Sequence, residues 1–238
     1  MEKTNFYKKM AEESEKIGIK LSDEQLNEFY EYMQLLLEWN EKMNLTAITD
    51  PEKVIKKHFV DSITIKKYIK EKSRLIDVGT GAGFPGIPLK IVDKSIKLTL
   101  LDSLNKRINF LNEIIEKLNL KEVNTIHSRA EEYAKNKVRE SYDVAVSRAV
   151  ADLPILLEYL MPYVKLNGIC ICMKGPKAQE ELERSKKAIN ILGGKLEKVE
   201  KITIDEKMER NLIIIRKIKD TPNKYPRKAG VPTKNPIV

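Results

Sequence analysis

The stretch RLIDVGTGAGFPGIPLKIV, residues 74–92, decides the fold of this chain. An apolar segment, RLIDV, runs directly into a turn with four glycines, and apolar residues with two prolines follow. Glycine permits positive φ and lets a ligand approach the main chain closely. A strand over 74–78, this turn and a helix over 86–92 together predict a ligand site at the carboxyl end of the strand.

The pattern that begins at Arg74 continues as an alternation of short strands and helices. Further strands are predicted near 97–101, 122–127, 142–147 and 168–173, and helices near 104–118, 152–162 and 177–191. Strands separated by helices form βαβ units, so we expect an α/β fold with a parallel, doubly wound sheet. In the helix over 104–118 the predicted buried face consists of Leu104, Ile108, Leu111, Ile115 and Leu118.

The two ends of the chain differ from this alternation. The first 70 residues indicate helices, with a capping-box start at Ser22 and another start at Asp50 followed by Pro51. Near the other end, KLEKVEKITI and RNLIIIRKI flank a short polar turn around DEKME and predict an antiparallel hairpin at one side of the sheet. The last segment, TPNKYPRKAGVPTKNPIV, is basic and proline-rich, and we expect it to be mobile unless something pins it. The predicted division is a helical cap at 1–70, a ligand-binding domain at 71–220 and a basic tail at 221–238.

Composition narrows the class of protein. Lys and Arg total 44 against 35 Asp and Glu, and this net charge of +9 favours a polyanionic partner without proving one. Apolar runs fall far short of the roughly 20 residues of a spanning helix, and the charged N-terminus is unlike a secretory signal, so we expect a cytoplasmic protein without a membrane partner. Cys170 and Cys172 are interpreted as buried free thiols. Besides these cysteines, the only candidate histidine ligands are His58 and His127, so no metal site is predicted.

The glycine turn also constrains the cofactor. Residues 81–86 satisfy G-x-G-x-x-G, and Asp102 lies about 20 residues further on, at the end of the second strand, where a carboxylate can bind a ribose. The pyrophosphate of NAD would need the amides at the start of the next helix. Prolines remove donors there, and Asp77 is expected to repel a pyrophosphate. A cofactor with a positive sulfonium tolerates that carboxylate, which favours S-adenosylmethionine.

Motifs along most of the chain resemble one known family. They are DVGTGAGFPGIPL, LLDSLNKRINFL, HSRAEEY and YDVAVSRAVADLP, preceded by WNEKMNLTAI and KHFVDS and followed by YPRKAGVPTKNPI. Together, from about Leu35 to Pro236, they resemble the RsmG (GidB) methyltransferases. The resemblance implies a class I S-adenosylmethionine-dependent methyltransferase with a Rossmann-like, seven-stranded sheet and an N-terminal helical extension. It also implies N7-methylation of a guanine in 16S ribosomal RNA, with that RNA or the small ribosomal subunit as partner; we expect a monomer.

The resemblance further implies which residues bind the cofactor. Asp102 would accept from ribose hydroxyls, the backbone of the glycine turn would meet the methionine part, and Ala130 with Glu131 would border the adenine. The implied set is Gly79, Phe84, Asp102, Ser103, Leu104, Ala130, Glu131 and Arg148. Because guanine N7 carries no proton, no general base is required. The catalytic residues stay unknown, with Arg148 and Lys174 as candidates at strand ends.

Several basic residues are candidates for contacts with RNA phosphates, although each could equally be a solvated surface charge. They are Arg107, Arg129, Lys174, Arg227 and Lys228. Deletion of the tail after Thr221 is accordingly expected to weaken the use of RNA more than cofactor binding.

Alternatives stay open at this stage. Asp102 could cap the following helix, which is compatible with ribose binding. Asn40 and Asn44 could bracket a helix end, and a hydrogen bond of His58 and Asp61 could tie the helical cap to the sheet instead of serving catalysis. Competing functions are a non-catalytic RNA-binding or ribosome-assembly protein on the same fold, a methyltransferase with another acceptor, and an NAD-dependent oxidoreductase.

Overall fold

A computed structural model describes residues 1–135, 137–148, 150–205 and 208–238. The strands are β1 (Arg74–Val78), β2 (Lys97–Asp102), β3 (Val123–His127), β4 (Tyr142–Arg148), β5 (Val164–Lys174), β6 (Gly194–Asp205) and β7 (Met208–Lys217). The helices are α1 (Lys3–Glu15), α2 (Asp23–Met43), α3 (Pro51–Val54), α4 (Asp61–Ile63), α5 (Gly86–Val92), α6 (Asn105–Lys117), α7 (Ala130–Tyr133), α8 (Leu153–Leu160), α9 (Ala178–Arg184), α10 (Lys186–Ile191) and α11 (Val231–Lys234). A π-helical segment, Ile55–Val60, joins α3 to α4, and single 3-10 turns occupy Lys66–Tyr68 and Met161–Tyr163.

The strands form one seven-stranded sheet in the order β3-β2-β1-β4-β5-β7-β6. The first five strands pair in parallel, and β7 pairs antiparallel with both β5 and β6. This confirms the predicted parallel sheet and terminal hairpin, although the tip of the hairpin at 206–207 lies outside the described residues. The strand order reverses between β1 and β4, and such a switch point opens a crevice at the carboxyl ends of the strands.

The helices of the first 70 residues pack on one face of the sheet. The capping box is confirmed, because Ser22 Oγ accepts from Gln25 N at 3.2 Å and the Gln25 side chain accepts from Ser22 N at 2.9 Å. Asp50 caps α3 by accepting from Lys53 N. Aromatic side chains of this region belong to the same apolar core as β1 and β2. The boundaries at 70 and 220 stay predictions.

Two details of the helices differ from the sequence-based expectation. Leu104 is 51% exposed and does not share the buried face of α6. It sits at the N-cap with extended backbone, before the helical repeat begins, so its side chain is not placed by that repeat. The helix predicted over 177–191 is divided between α9 and α10 at Ser185, whose hydroxyl donates to the carbonyl of Glu181.

The C-terminal segment is pinned to the fold, which is the condition under which the sequence-based expectation of mobility does not apply. Arg139 donates from Nη1 to the carbonyl of Tyr225 at 2.8 Å and from Nη2 to that of Thr221 at 2.6 Å. Tyr225 and Ile237 are buried in the core on the other face of the sheet. Distant side chains bond the polar groups of this segment, and only a few separate residues of it enter the core. An attachment of this kind leaves no periodic apolar pattern in the sequence.

The two cysteines lie on β5 and are buried free thiols, as predicted. Their Sγ atoms are 3.6 Å apart, and burial raises the pKa of Cys170 well above its ordinary value. A thiol held in its neutral form is a poor nucleophile. We therefore assign both cysteines to the core.

Candidate active site

The turn after β1 needs glycine for conformation and for space. Gly79 and Gly83 both have positive φ, at +69° and +96°. A Cβ at Gly83 would lie 2.6 Å from the hydroxyl of Tyr32, and one at Gly79 would lie 2.6 Å from Cγ2 of Val150. The Tyr32 hydroxyl also donates to the carbonyl of Ala82. The helical cap therefore braces the turn directly.

Asp77 lies beneath this turn and does not face the ligand side, contrary to the sequence-based expectation. It is fully buried, and its Oδ2 accepts from Thr80 Oγ1 at 2.7 Å and from Gly86 N at 2.9 Å. Its Oδ1 has no hydrogen-bond partner within the described part of the chain. The carboxylate thus takes the first amide of α5, which a pyrophosphate would otherwise use. A dinucleotide is therefore disfavoured because Asp77 occupies this amide, and not because Asp77 would repel a pyrophosphate inside the cavity.

The pH dependence of stability is expected to report Asp77. Burial raises its pKa from 3.8 to about 7, against the opposing effect of its hydrogen bonds. A carboxyl whose pKa is raised on folding stabilises the protein fully below pH 3.8, and this contribution is lost as the pH rises through about 7. Relative to Asp77→Asn, the wild-type free energy of unfolding should fall between about pH 4 and pH 7, as measured by urea denaturation.

A matched control for this experiment is Asp50→Asn, which changes an exposed capping carboxylate. The difference between wild type and this control should stay nearly constant over the same pH range. If the difference in unfolding free energy between wild type and Asp77→Asn is also independent of pH, burial does not raise the pKa of Asp77.

Two adjoining cavities, of about 180 and 430 Å³, open at the carboxyl ends of the parallel strands. The smaller cavity is lined in part by Val78, Leu101, Ser128, Arg129, Ala130, Glu131 and Tyr159. The larger is lined in part by Leu45, Thr46, His58, Thr80, Gly81, Phe84, Arg107 and Arg148. They share Gly79, Asp102, Ser103 and Val150. Most of the residues singled out from the sequence therefore meet around one bipartite site.

Asp102 is fixed at the junction of the two cavities. It is 2% exposed, and its carboxylate accepts from Gly81 N at 2.9 Å, from Leu104 N at 3.0 Å and from Arg107 Nη1 at 3.2 Å. Asp102 therefore bonds the amide of Leu104, just before α6, and lines both cavities at the same time. Leu104 contributes its amide, whereas its side chain does not line either cavity.

Arg148 extends from the end of β4 into a cluster provided by the helical cap. Its guanidinium donates to Asp61 Oδ2 and the carbonyl of Lys57, both at 2.9 Å, and to His58 Nδ1 at 3.0 Å. It lies 4.9 Å from the ring centre of Phe84, which stacks on His58. The expected tie between the cap and the sheet is confirmed, with Arg148 as the bridge.

His58 is a neutral hydrogen-bonding group at physiological pH. Burial, aided by the charge of Arg148, lowers its pKa to about 3. Because Arg148 can only donate, Nδ1 must accept, and Nε2 therefore donates to Thr46 Oγ1 at 2.8 Å. Thr46 Oγ1 also accepts from Ile48 N. Its own hydroxyl proton is then left for a group in the larger cavity.

Sequence reasoning missed Thr46, Tyr159 and Val150 as lining residues. No spacing connects Thr46 with His58, and only the fold brings them together. The expected structural role of the two asparagines is confirmed: Asn40 Oδ1 accepts from Thr46 N at 2.8 Å, and Asn44 ends α2 with φ of +49°. Asn40 thereby also holds the backbone of Thr46 at the cavity.

The remaining basic candidates are divided between the cavities and positions outside their lining. Lys174 donates to the carbonyl of Ala151 at 2.7 Å and pairs with Glu181 at 2.6 Å. Arg227 pairs with Glu158, and Lys228 is exposed. Arg107 and Arg129 line the site itself. The assignment of all these residues to RNA or cofactor contacts stays a prediction.

The sheet order, the glycine turn after β1 and the acidic residue after β2 define the class I methyltransferase fold. A solved S-adenosylmethionine-dependent methyltransferase from Aquifex aeolicus is similar, with a TM-score of 0.54 and 20% identity over 75% of this chain and 97% of that one. A structure of M. jannaschii TYW2 in complex with AdoMet has a TM-score of 0.52 and 18% identity over 65% and 74% of the respective chains. These likenesses show the fold.

The family follows from sequence comparison. The GidB model, described as rRNA small subunit methyltransferase G, matches residues 25–213. Proteins called "Ribosomal RNA small subunit methyltransferase G" from Acetivibrio thermocellus and from Clostridium botulinum strain Eklund 17B are each 54% identical to this chain. The alignments cover 97% and 98% of this chain and 96% and 99% of those proteins. The chain belongs to this methyltransferase family, which confirms the resemblance found in its motifs.

Proposed function

We propose that this protein transfers a methyl group from S-adenosylmethionine to N7 of a guanine in 16S ribosomal RNA. The observation that carries the proposal is the bipartite site, in which Asp102 stands between a small cavity and a larger, more polar one. A cofactor with a nucleoside and an amino-acid part needs two such compartments on either side of its ribose. Family membership supports the choice of acceptor.

The residues of the site fit this cofactor. The Asp102 carboxylate suits ribose hydroxyls, and the apolar side chains of Val78 and Leu101 suit a nucleobase face. The turn at 79–83 offers exposed backbone to the methionine part. When bound, S-adenosylmethionine supplies a methyl group activated by positively charged sulfur. Asp77 is buried beneath the turn and does not line either cavity.

The larger cavity is the proposed entrance for the guanine. Its polar wall consists of the Arg148–His58–Thr46 chain, in which His58 is neutral and Thr46 can donate its hydroxyl proton. Guanine N7 has a free lone pair, so no proton has to be removed from it. These three side chains therefore need only to orient the base. Positioning of this kind is worth up to about 7 to 11 kcal/mol in well-aligned systems. Phe84 lines the same cavity, but its ring stacks on His58 and on Tyr32, so it supports the wall from behind.

We further propose that the acceptor is recognised as free 16S ribosomal RNA or within the small ribosomal subunit, in the cytoplasm and by a monomer. The net charge of +9 supports binding to a polyanion. Within the described residues, no helix is sufficiently long and apolar to cross a membrane.

The proposal predicts site-specific methyl transfer. Small ribosomal subunits and naked ribosomal RNA from cells that lack this protein should accept label from S-adenosylmethionine, and chemical cleavage at N7-methylguanine should map it to one guanine. Subunits from cells that contain the protein should accept little, because that guanine is already modified. Cofactor binding without transfer to either substrate would point to another acceptor or to a non-catalytic assembly role.

A further inference from the structure

We propose that the C-terminal segment, residues 225–238, is a wall of the nucleoside half of the cofactor site and contacts the adenine part. The proposal rests on the proposed function and extends it to a segment beyond residue 213, where the match to the family model ends. Gly230 and Thr233 line the smaller cavity together with the strand-end residues Val78 and Leu101.

Buried ionic contacts hold this segment in place. Glu158 on α8 has a side chain only 1% exposed and accepts from Arg227 Nε at 2.9 Å and from Arg227 Nη2 at 2.6 Å. The same carboxylate accepts from Arg227 N at 2.8 Å. A buried carboxylate with this set of charge-assisted bonds is a strong anchor. Together with Arg139, which binds the carbonyl of Tyr225, it fixes the path of the chain towards the cavity.

Two further contacts join the segment to the lining of the cavity. Gly230 N donates to Glu131 Oε1 at 3.3 Å, and Thr233 Oγ1 lies 3.2 Å from the hydroxyl of Tyr159. Glu131 is 4% exposed, and its neighbour Ala130 starts α7 at the end of the smaller cavity. Glu131, one of the two residues implied to border the adenine, is therefore bonded directly to the C-terminal segment. The cavity combines polar residues with the apolar Val78 and Leu101, and this combination suits a flat nucleobase with a polar edge.

This geometry changes the role expected for the tail. From the sequence alone, its basic residues indicate RNA contacts, and its removal is expected to affect RNA use first. In the structure, the guanidinium of Arg227 is hydrogen-bonded to Glu158, and Gly230 and Thr233 line the smaller cavity. Loss of the segment should therefore weaken cofactor binding in the absence of any RNA.

The test places a large side chain on the C-terminal segment where that segment lines the smaller cavity. Thr233 and Lys234 are adjacent and both exposed, but only Thr233 is among the residues that line the smaller cavity as described. Thr233→Trp should weaken S-adenosylhomocysteine binding at least about ten-fold in calorimetric titration, whereas the matched control Lys234→Trp should stay within about two-fold of wild type. Thermal unfolding should be nearly the same in both variants, because neither replaces a buried side chain.

Adenosine alone, titrated in parallel, locates the effect. Thr233→Trp should weaken adenosine and S-adenosylhomocysteine by similar factors, because both carry the adenine. Wild-type affinity in Thr233→Trp, or a loss for S-adenosylhomocysteine with none for adenosine, would overturn the proposed wall. Failure of the wild-type protein itself to bind S-adenosylhomocysteine would instead contradict the proposed function.

Discussion

Asp61→Ala is expected to lower the free energy of unfolding by about 3 to 5 kcal/mol, the usual cost of breaking a buried ion pair from one side. Asp61 is fully buried and binds two arginines, Arg148 at 2.9 Å and Arg210 at 2.7 Å from Oδ2. These arginines extend from β4 and β7, and their side chains are only 11% and 15% exposed. Without the carboxylate, the two arginines would be left as poorly hydrated positive charges with no negative partner between them.

Urea denaturation of the purified variants measures this effect. A matched control is Asp152→Ala, which removes the carboxylate of a surface pair with Arg184 at 2.9 Å. Both partners of that pair are substantially exposed, so the control should change stability by less than about 1 kcal/mol. A loss of that small size in Asp61→Ala would show that water reaches both arginines and that the cluster does not tie the cap to the sheet.

Asp102→Asn is expected to weaken S-adenosylhomocysteine binding about 10- to 100-fold, the equivalent of about 1.5 to 3 kcal/mol for hydrogen bonds to a charged acceptor. Asparagine keeps one oxygen acceptor but replaces the other by a donor, which cannot accept from a ribose hydroxyl. Asparagine is preferable to alanine here, because its remaining oxygen can still accept from one of the amides of Gly81 and Leu104, whereas alanine would leave both without the side-chain acceptor.

Calorimetric titration with folding checked by circular dichroism is the appropriate measurement. Asp50→Asn serves as the control, since it makes the same change at an exposed helix-capping carboxylate away from the cavities. Its affinity should equal that of wild type. A folded Asp102→Asn protein that binds S-adenosylhomocysteine as wild type does would remove Asp102 from the ribose site.

The fold was largely predictable because its signals are local. The glycine turn after RLIDV, the alternation of strands and helices and the final hairpin each depend on residues close together in the sequence. Parallel strands also have few permitted arrangements, so a short list of elements restricts the topology strongly. Errors occurred where a local signal was incomplete: Leu104 precedes the helical repeat, and Ser185 interrupts one.

The site was predictable in part. Asp102, Phe84 and Arg148 follow strands or lie in the glycine turn, and the carboxyl ends of parallel strands meet at one edge. Their convergence therefore needed no long-range information. Their partners did need it, because Thr46 comes from the cap and Thr233 from the opposite end of the chain. Asp77 faced inward for a similar reason, since the start of α5 folds back over it.

The sequence by itself thus determined the class of fold, the edge of the sheet at which its candidate residues meet, and the family. Only the tertiary structure decided that Asp61 serves both Arg148 and Arg210, that His58 is neutral and that Gly230 and Thr233 of the basic tail line the smaller cavity. The physical reason is the range of the interactions. Backbone propensity and periodicity act over a few residues, whereas burial of a charge depends on every group that surrounds it, and those groups are distant in the chain.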